Sequence, residues 1–199
     1  MNSTRFVLFA AGLVLAMAFT ACGDAKATKI LTDPRDGKKY KTVKIGEQTW
    51  MAENLNFNAS GSVCYDNEPA NCEKYGRLYN WNVAMSACPS GWHLPNDAEW
   101  NALERAVGGS SVAGTHLKAK NGWNQNGYGL DTYGFAALPG GYGYSNGNFG
   151  YVGDIGFWWS ATEFYAYGAW VRSMDYDFEY VLRDGINKSA LLSARCVQD

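Results

Sequence analysis

Apolar and polar residues alternate in two short runs that predict a β-hairpin near the start of the folded region. Lys41–Ile45 and Gln48–Met51 carry this alternation, and the Gly46-Glu47 pair between them suits a tight turn. Further along, apolar residues recur at helical spacing and predict a short helix over Tyr79–Ala87. We therefore expect the domain to open with strands and to continue into helix.

The clearest helix signal begins at Asn96. This residue is a favourable N-cap, and Glu99, three residues later, completes a capping box. Trp100 and Leu103 share one helical face, which predicts packing against a core, and Gly108-Gly109 marks the end of the helix.

The stretch from 122 to 168 follows neither periodicity. It contains 12 Gly and 14 aromatic residues and no Lys or Arg, which predicts turns, short strands and long ordered loops. Alternation then returns in three runs that predict closing strands: Trp170–Met174, Tyr176–Leu182 and Ala190–Val197. The expected fold class is α+β.

Composition narrows the class of protein. The chain has 199 residues, of which 47% are hydrophobic and 18% charged, and this balance fits one folded domain plus a short extra segment. Its formal net charge is -2, so the chain lacks the positive field with which nucleic-acid-binding proteins neutralise phosphates. We therefore expect no nucleic-acid partner.

The N-terminal segment predicts export and lipid attachment. Arg5 precedes the uncharged run Phe6–Phe19, which at about 1.5 Å per residue is too short to span a bilayer core about 30 Å thick. The run ends in Phe19-Thr20-Ala21-Cys22, which resembles the bacterial lipobox, in which the cysteine is acylated. The alternative is an ordinary secretory signal that leaves Cys22 spare.

These features predict three segments and an address. Residues 1–21 are expected to be a signal peptide, 22–32 the lipidated cysteine and a tether, and 33–199 the folded domain. The expected location is the bacterial cell envelope, at the outer membrane or cell surface, with the membrane as a partner through the lipid anchor.

The other four cysteines predict two disulfides, because an even number of cysteines in an exported chain is typical of disulfide bonding. Four thiols allow three pairings. We expect Cys64 to pair with Cys72 around a small surface loop, and Cys88 to pair with Cys196 across the domain. A zinc site is the rival, but the cysteine spacings are not C-x-x-C and no ligand pattern includes the histidines.

Several blocks of sequence resemble the Fibrobacter succinogenes major paralogous domain over about residues 33–199. They occur in order along the chain and include Gly76–Trp81, Ala87–Pro95, Asp97–Trp100, Gly134–Gly141, Trp158–Glu163 and Ala194–Val197.

That family looks related to the C-type-lectin-like fold, in which two helices flank small antiparallel sheets and a long loop region carries ligands. The resemblance places Cys88 and Cys196 at the positions of that fold's long-range disulfide. It also places the glycine-rich, aromatic stretch where the long loops belong. The family brings no established chemistry, and a fold alone does not supply a function.

Aromatic and amide side chains in the long stretch predict glycan recognition. Rings stack on the C–H faces of sugars, and amides bond their hydroxyls. The candidate ligand-binding residues, for a glycan or cell-wall polymer, are Tyr142, Tyr144, Asn146, Asn148 and Tyr151. The alternative for these residues is that the rings fill a loop-rich interior while Asn and Gly serve turns. Another alternative is a structural lipoprotein whose aromatic loops contact an envelope protein.

Catalysis is the less favoured hypothesis. Leu94–Trp100 resembles a block of the formylglycine-generating oxidases, which share the lectin-like fold, but their chemistry needs reactive cysteines, and disulfides would consume them here. We expect no catalytic residues and no cofactor. Calcium stays open, since Asp175 and Asp177 alternate along a predicted strand. The Glu68–Asn71 run only superficially resembles a lectin sugar motif and is rejected.

Overall fold

A computed structural model describes residues 29–199 of the chain. The helices are α1 (Pro69–Tyr75), α2 (Trp81–Ala84), α3 (Asp97–Ala106) and α4 (Ser110–Leu117). The strands are β1 (Lys29–Thr32), β2 (Lys39–Ile45), β3 (Gln48–Met51), β4 (Leu78–Tyr79), β5 (Trp92–His93), β6 (Gly140–Gly143), β7 (Phe149–Val152), β8 (Ile155–Tyr165), β9 (Gly168–Asp175), β10 (Leu182–Asn187), β11 (Leu192–Ser193) and β12 (Val197–Gln198). The α+β prediction is confirmed.

One sheet joins the two ends of the described chain. Its strand order is β1-β2-β3-β12-β5, and all of its pairs are antiparallel. The predicted hairpin is present as β2 and β3, with Ile45 opposite Gln48 and Thr42 opposite Met51. Strand β12 lies between β3 and β5, so a late segment of the chain completes a sheet that the early hairpin begins.

The last four residues of the predicted tether, 22–32, form a strand. Residues 29–32 form β1, which pairs along its length with β2 from Lys39 to Thr42. The correction has a local cause: the run Lys29-Ile30-Leu31-Thr32 contains branched apolar residues that suit a strand, and the β2 edge offers it backbone partners. The predicted signal peptide and Cys22 lie outside the described residues.

The second sheet contains the long strand that the sequence did not predict. Its strand order is β10-β9-β8-β11-β4, and β6 pairs with both β7 and β8. Strand β8 spans 11 residues inside the stretch expected to hold only short strands and loops. Segment 157–165 of β8 contains no glycine, unlike the stretch around it, and β9 pairs antiparallel with most of this strand.

The prediction of a strand over Tyr176–Leu182 was wrong. This segment is mostly a turn, and β10 begins at Leu182. The buried ammonium of Lys118 holds the turn, donating to the carbonyls of Asp175 and Phe178 at 2.9 Å each. Burial lowers the pKa of Lys118. The alternating aromatic residues of this segment therefore lie in a turn whose carbonyls bind the Lys118 ammonium. Local periodicity does not reveal this contact.

The helix predictions succeed where capping is local. In α3 the Asn96 side chain accepts from the Glu99 backbone and the Glu99 carboxylate accepts from Asn96, which confirms the capping box. The helix expected over 79–87 is shorter, because Tyr79 lies in β4 and Asn80 caps α2. Helices α1 and α4 were not predicted; α4 follows Gly109 directly and buries Leu117.

Buried aromatic rings form the centre of the domain. Trp50 contacts Trp100 and Phe135, with ring centroids 4.9 and 5.8 Å apart. Trp158 and Trp159 are both fully buried, and their indole N–H groups donate to Asn54 Oδ1 and to the Tyr79 carbonyl. Each indole thus removes a large apolar surface from water without leaving its donor unsatisfied.

Both predicted disulfides are present. Cys64 bonds Cys72, where α1 closes the small loop, and Cys88 bonds Cys196 across 108 residues of chain. The second bond joins the segment before β5 to the segment before β12, so it crosslinks the first sheet close to the pairing of these strands. No helix within residues 29–199 has both the length and the apolar character needed to cross a membrane.

Candidate functional site

The five predicted ligand-binding residues lie on one hairpin. Strand β6 carries Tyr142, strand β7 carries Tyr151, and the connection between the strands contains Tyr144, Asn146 and Asn148. Tyr142 is opposite Gly150 in the ladder, and the Tyr144 N–H donates to the Asn148 carbonyl at 2.7 Å. A short glycine-rich hairpin thus brings together side chains spread over ten positions of the sequence.

Three tyrosine rings of this hairpin form a continuous patch, named here the tyrosine surface: Tyr142, Tyr144 and Tyr151. The Tyr142 and Tyr151 rings stack with centroids 5.6 Å apart and planes 11° apart, and Tyr144 lies tilted against Tyr142 at 4.5 Å. Tyr144 is 40% exposed and Tyr151 48% exposed, while Tyr142 is half-buried. The rings therefore present an open aromatic surface rather than filling the interior.

The tyrosine surface packs against strand β8. The edge of Phe157 in β8 packs against the Tyr142 ring, with centroids 5.2 Å apart. On the same hairpin, Phe149 contacts the ring of Tyr65 at 5.2 Å. The half-buried ring of Tyr142 thus anchors the two more exposed rings to β8.

Backbone strain positions one of the exposed rings. Tyr151 has a φ of 65°, a left-handed conformation that costs a non-glycine residue about 1 kcal/mol or more. Its carbonyl accepts from the Asp154 N–H at 3.1 Å, and the next residue but one, Gly153, donates to Pro139 at 2.9 Å. The surrounding backbone bonds fix this conformation, and with it the Tyr151 ring against Tyr142.

The chemistry of the surface is uncharged. Burial raises the pKa of Tyr142, and the neighbouring hydroxyls of Tyr144 and Tyr151 raise it further, so its phenol stays a neutral hydrogen-bond donor and acceptor at neutral pH. Asn146 and Asn148 are exposed beside the rings. Asn146 also has a structural role, since its Oδ1 accepts from the Asn148 N–H and shapes the turn.

A second exposed aromatic group was not among the predicted site residues. It lies at the tip of the β8–β9 hairpin, where Tyr167 is 75% exposed and Phe164 packs on Trp170 at 4.3 Å. The guanidinium of Arg183 lies over the Trp170 ring, 3.2 Å from its centroid. The cluster Phe164-Tyr165-Ala166-Tyr167 was visible in the sequence as a run of rings too dense for a buried alternating strand.

The two acidic residues considered for calcium do not lie on one strand. Asp175 ends β9, Asp177 lies in the following turn, and Asp175 Oδ1 accepts from the Asp177 N–H at 3.0 Å. Within residues 29–199, no group of three or more His, Cys, Asp or Glu side chains is arranged to hold a metal ion.

The block that resembles an oxidase motif has structural contacts. Asn96 and Glu99 form the cap of α3, and the Pro95 carbonyl accepts from Ala161 in β8 at 2.9 Å. The block therefore joins α3 to the second sheet.

The four cysteines of the described chain are all in disulfides: Cys64, Cys72, Cys88 and Cys196.

Fold and surface together define a disulfide-linked α+β domain that displays an uncharged aromatic hairpin. The chain belongs to the family described as the Fibrobacter succinogenes major domain, whose family model matches residues 43–198. The family resemblance of the sequence is thereby confirmed. No curated protein and no solved structure matches the chain, and the C-type-lectin-like resemblance stays a prediction.

Proposed function

We propose that this protein is a noncatalytic recognition module that binds a neutral extracellular glycan or cell-wall polymer through the tyrosine surface. The observation that carries the proposal is the exposure of Tyr144 and Tyr151 on a ring cluster anchored by Tyr142. Exposed aromatic patches on a folded domain are typical of interaction sites.

The chemistry of the patch fits a sugar. The apolar C–H faces of pyranose rings pack on aromatic rings, and sugar hydroxyls exchange hydrogen bonds with phenols and amides. The hairpin from 140 to 152 carries no charged side chain, so no ion has to be desolvated when a neutral sugar binds. The fixed backbone at Tyr151 reduces the ordering that binding would require.

The proposal includes the setting of the domain. We place it in the bacterial envelope, anchored through acylated Cys22, with a C-type-lectin-like fold. The noncatalytic assignment is supported by the two disulfides, since a bonded cysteine supplies no thiolate for oxidase chemistry.

The test is binding of the purified domain to cellulose, xylan and peptidoglycan, followed by titration with soluble fragments of the polymer that binds. Tyr144→Ala with Tyr151→Ala is expected to weaken binding at least tenfold, since both rings contact the ligand. Tyr128→Ala with Tyr167→Ala is the matched control, because it removes two exposed tyrosines outside the tyrosine surface.

Equal loss in the two double variants would place binding elsewhere. Binding to none of the three polymers would contradict the glycan assignment.

A protein partner is the second candidate, and the tip of the β8–β9 hairpin favours it. Tyr165 and Tyr167 are 49% and 75% exposed, and Phe164 lies beside them at 48%. Aromatic residues of this kind are enriched in protein interfaces. Retained association with an envelope protein in the Tyr144→Ala, Tyr151→Ala variant, together with its loss in Tyr165→Ala, Tyr167→Ala, would support this candidate.

A further inference from the structure

A cleft of about 590 Å³ lies away from the aromatic hairpin tips, between the first sheet and α1. The segment 38–41 lines one side, residues 72–76 of α1 and its cap line another, and Asn54, Asn56 and Ala136 also border it. A volume of this size accommodates a small ligand such as a disaccharide. Five of its lining residues are cationic, and we name it the basic cleft: Lys38, Lys39, Lys41, Lys74 and Arg195.

Cations outnumber acids in the basic cleft. Its acidic lining residues are Glu53, Glu73 and Asp131, so five positive groups face three negative ones on a chain whose net charge is -2. This concentration of positive charge in a concave surface focuses the field and attracts anions.

Three of the four lysines of the cleft are outside any ion pair of the described residues. Lys38 lies 3.7 Å from Asp36 and donates to the Asn56 carbonyl. Among the ion pairs within residues 29–199, none includes Lys39, Lys41 or Lys74. Three exposed lysines therefore border the cleft without a direct ion pair to a carboxylate of the described chain.

A buried arginine adds a charge of the same sign. Arg195 is 1% exposed, and its guanidinium donates to Asn54 Oδ1 and to the carbonyls of Phe135 and Ala136, all of which are uncharged oxygens. Burial lowers the pKa of Arg195 to about 9, so the group is charged at neutral pH. The carboxylates of Glu53 and Asp131 interact with this charge without bonding to it, and an anion in the adjacent cleft would further offset the cost of its burial.

A hydrogen-bond acceptor in the lining points to hydroxyls on the ligand. Within the described residues, Asn56 Oδ1 is buried and has no hydrogen-bond partner. Leaving a buried acceptor unsatisfied is costly, and a ligand hydroxyl in the cleft would satisfy this one once the Asn56 side chain turns toward the cleft. Cationic groups and an unsatisfied acceptor together match a molecule that carries both an acid group and hydroxyls.

We infer that the basic cleft binds an acidic saccharide of about disaccharide size, with a uronate carboxylate directed to the exposed lysines beside the buried charge of Arg195 and a hydroxyl directed to Asn56. This site goes beyond the proposed function, because it is separate from the tyrosine surface and recognises charge rather than ring faces.

The experiment is calorimetric titration of the domain with digalacturonate and diglucuronate, with neutral galactobiose and inorganic phosphate as comparisons. The expected result is binding of at least one uronate, at least tenfold more tightly than galactobiose, and weakening as salt rises. Lys39→Gln, Lys41→Gln, Lys74→Gln is expected to weaken it tenfold or more, whereas Lys29→Gln, Lys44→Gln, Arg105→Gln, with the same net charge, retains it.

Each other outcome counts against the inference. Binding of neither uronate, equal binding of galactobiose, or full retention in the cleft variant overturns the cleft as a sugar-acid site, and phosphate binding as tightly as the uronates overturns the assignment to a saccharide. The Tyr144→Ala, Tyr151→Ala variant is expected to keep uronate binding, so a failure of the tyrosine surface and a failure of the basic cleft are distinguishable.

Discussion

Single positions in the β6–β7 hairpin decide whether the tyrosine rings meet. Gly141 has a φ of 64°, and a Cβ at this position would overlap the Gly150 carbonyl and lie 2.8 Å from the Tyr65 ring. Gly147, at the tip, has a φ of 87° but nothing within 4 Å of the place a Cβ would take. The two glycines therefore separate backbone strain from steric overlap.

Gly141→Ala is expected to lower the free energy of unfolding by about 2–4 kcal/mol, because it combines a left-handed backbone with a backbone clash. Gly147→Ala is expected to cost only about 1 kcal/mol, since it adds strain alone. Urea denaturation of the two variants measures the difference. Equal costs would contradict the close approach of β6 and β7.

A histidine between two carboxylates gives the domain a pH dependence. His93 Nδ1 lies 2.6 Å from Asp199 Oδ1, and its Nε2 lies 2.8 Å from Glu99 Oε1. Burial lowers the pKa of His93, but its hydrogen bonds to the carboxylates of Asp199 and Glu99 outweigh burial and raise the pKa above 6.5. Folding therefore favours the protonated form.

A raised pKa contributes stability that is complete below the unfolded value and is lost as the pH rises through the folded value. The stability advantage of the wild type over His93→Gln is thus expected to be largest near about pH 6 and to shrink as the pH rises above 6.5. Urea denaturation across this range measures it. His116→Gln, whose imidazole contacts the Thr132 hydroxyl, is the control, and an identical pH profile in both variants would contradict the prediction.

At the scale of elements, a buried arginine joins β9 to α3. Arg172 Nη1 lies 2.8 Å from Asp97 Oδ1, its Nε lies 2.5 Å from Glu104 Oε1, and its Nη2 donates to Asn101. Arg183 in β10 contacts the same Asp97 oxygen at 2.9 Å, but its side chain is 40% exposed. The same carboxylate therefore has one buried and one exposed arginine partner.

Arg172→Leu is expected to destabilise the domain by about 3–5 kcal/mol, because it leaves two acids without their buried partner. Arg183→Leu is expected to cost about 1 kcal/mol or less, since water and salt screen an exposed pair. Thermal and urea unfolding of the two variants compare them directly. A large loss in Arg183→Leu would show that the exposed pair carries the connection.

Sequence predicted the elements whose causes are local. The β2–β3 hairpin, the capping box of Asn96 and Glu99, and both disulfide pairs were visible as turn residues, cap spacing and cysteine positions. The turn that replaces a strand after Asp175 depends on Lys118, almost 60 residues earlier, and no periodicity reports that contact. The basic cleft was not predicted for the same reason, because its cations come from three segments that are distant in sequence.

The predicted ligand-binding residues show the same division. Aromatic and amide composition identified the residues of the β6–β7 hairpin, since chain neighbours converge on a hairpin. The stacking of Tyr142 on Tyr151 and the left-handed backbone of Tyr151 were beyond the sequence, because both depend on how β7 leaves the turn.

At the scale of the whole molecule, the two disulfides constrain very different lengths of chain. Cys64 and Cys72 are separated by 8 residues, and Cys88 and Cys196 by 108. In the chain-entropy model, the longer loop restricts the unfolded ensemble more strongly.

Cys88→Ala with Cys196→Ala is expected to lower the free energy of unfolding by about 5 kcal/mol, and Cys64→Ala with Cys72→Ala by about 2.5 kcal/mol. Equilibrium denaturation without reductant measures both, and each double variant serves as the control for the other. A larger loss from the short loop would show that the Arg77 contacts around Cys64 and Cys72 matter more than chain entropy.

The position of β12 sets an order of events during synthesis. The β2–β3 ribbon emerges from the ribosome about 150 residues before Val197, the residue that pairs with Trp50 and with His93. Until Val197 arrives, the inner edge of that ribbon has no neighbour, and pairings this distant in sequence form slowly. A chain that completes its first sheet so late cannot close that sheet until its synthesis is nearly finished, and this delay would suit the export that we propose for it.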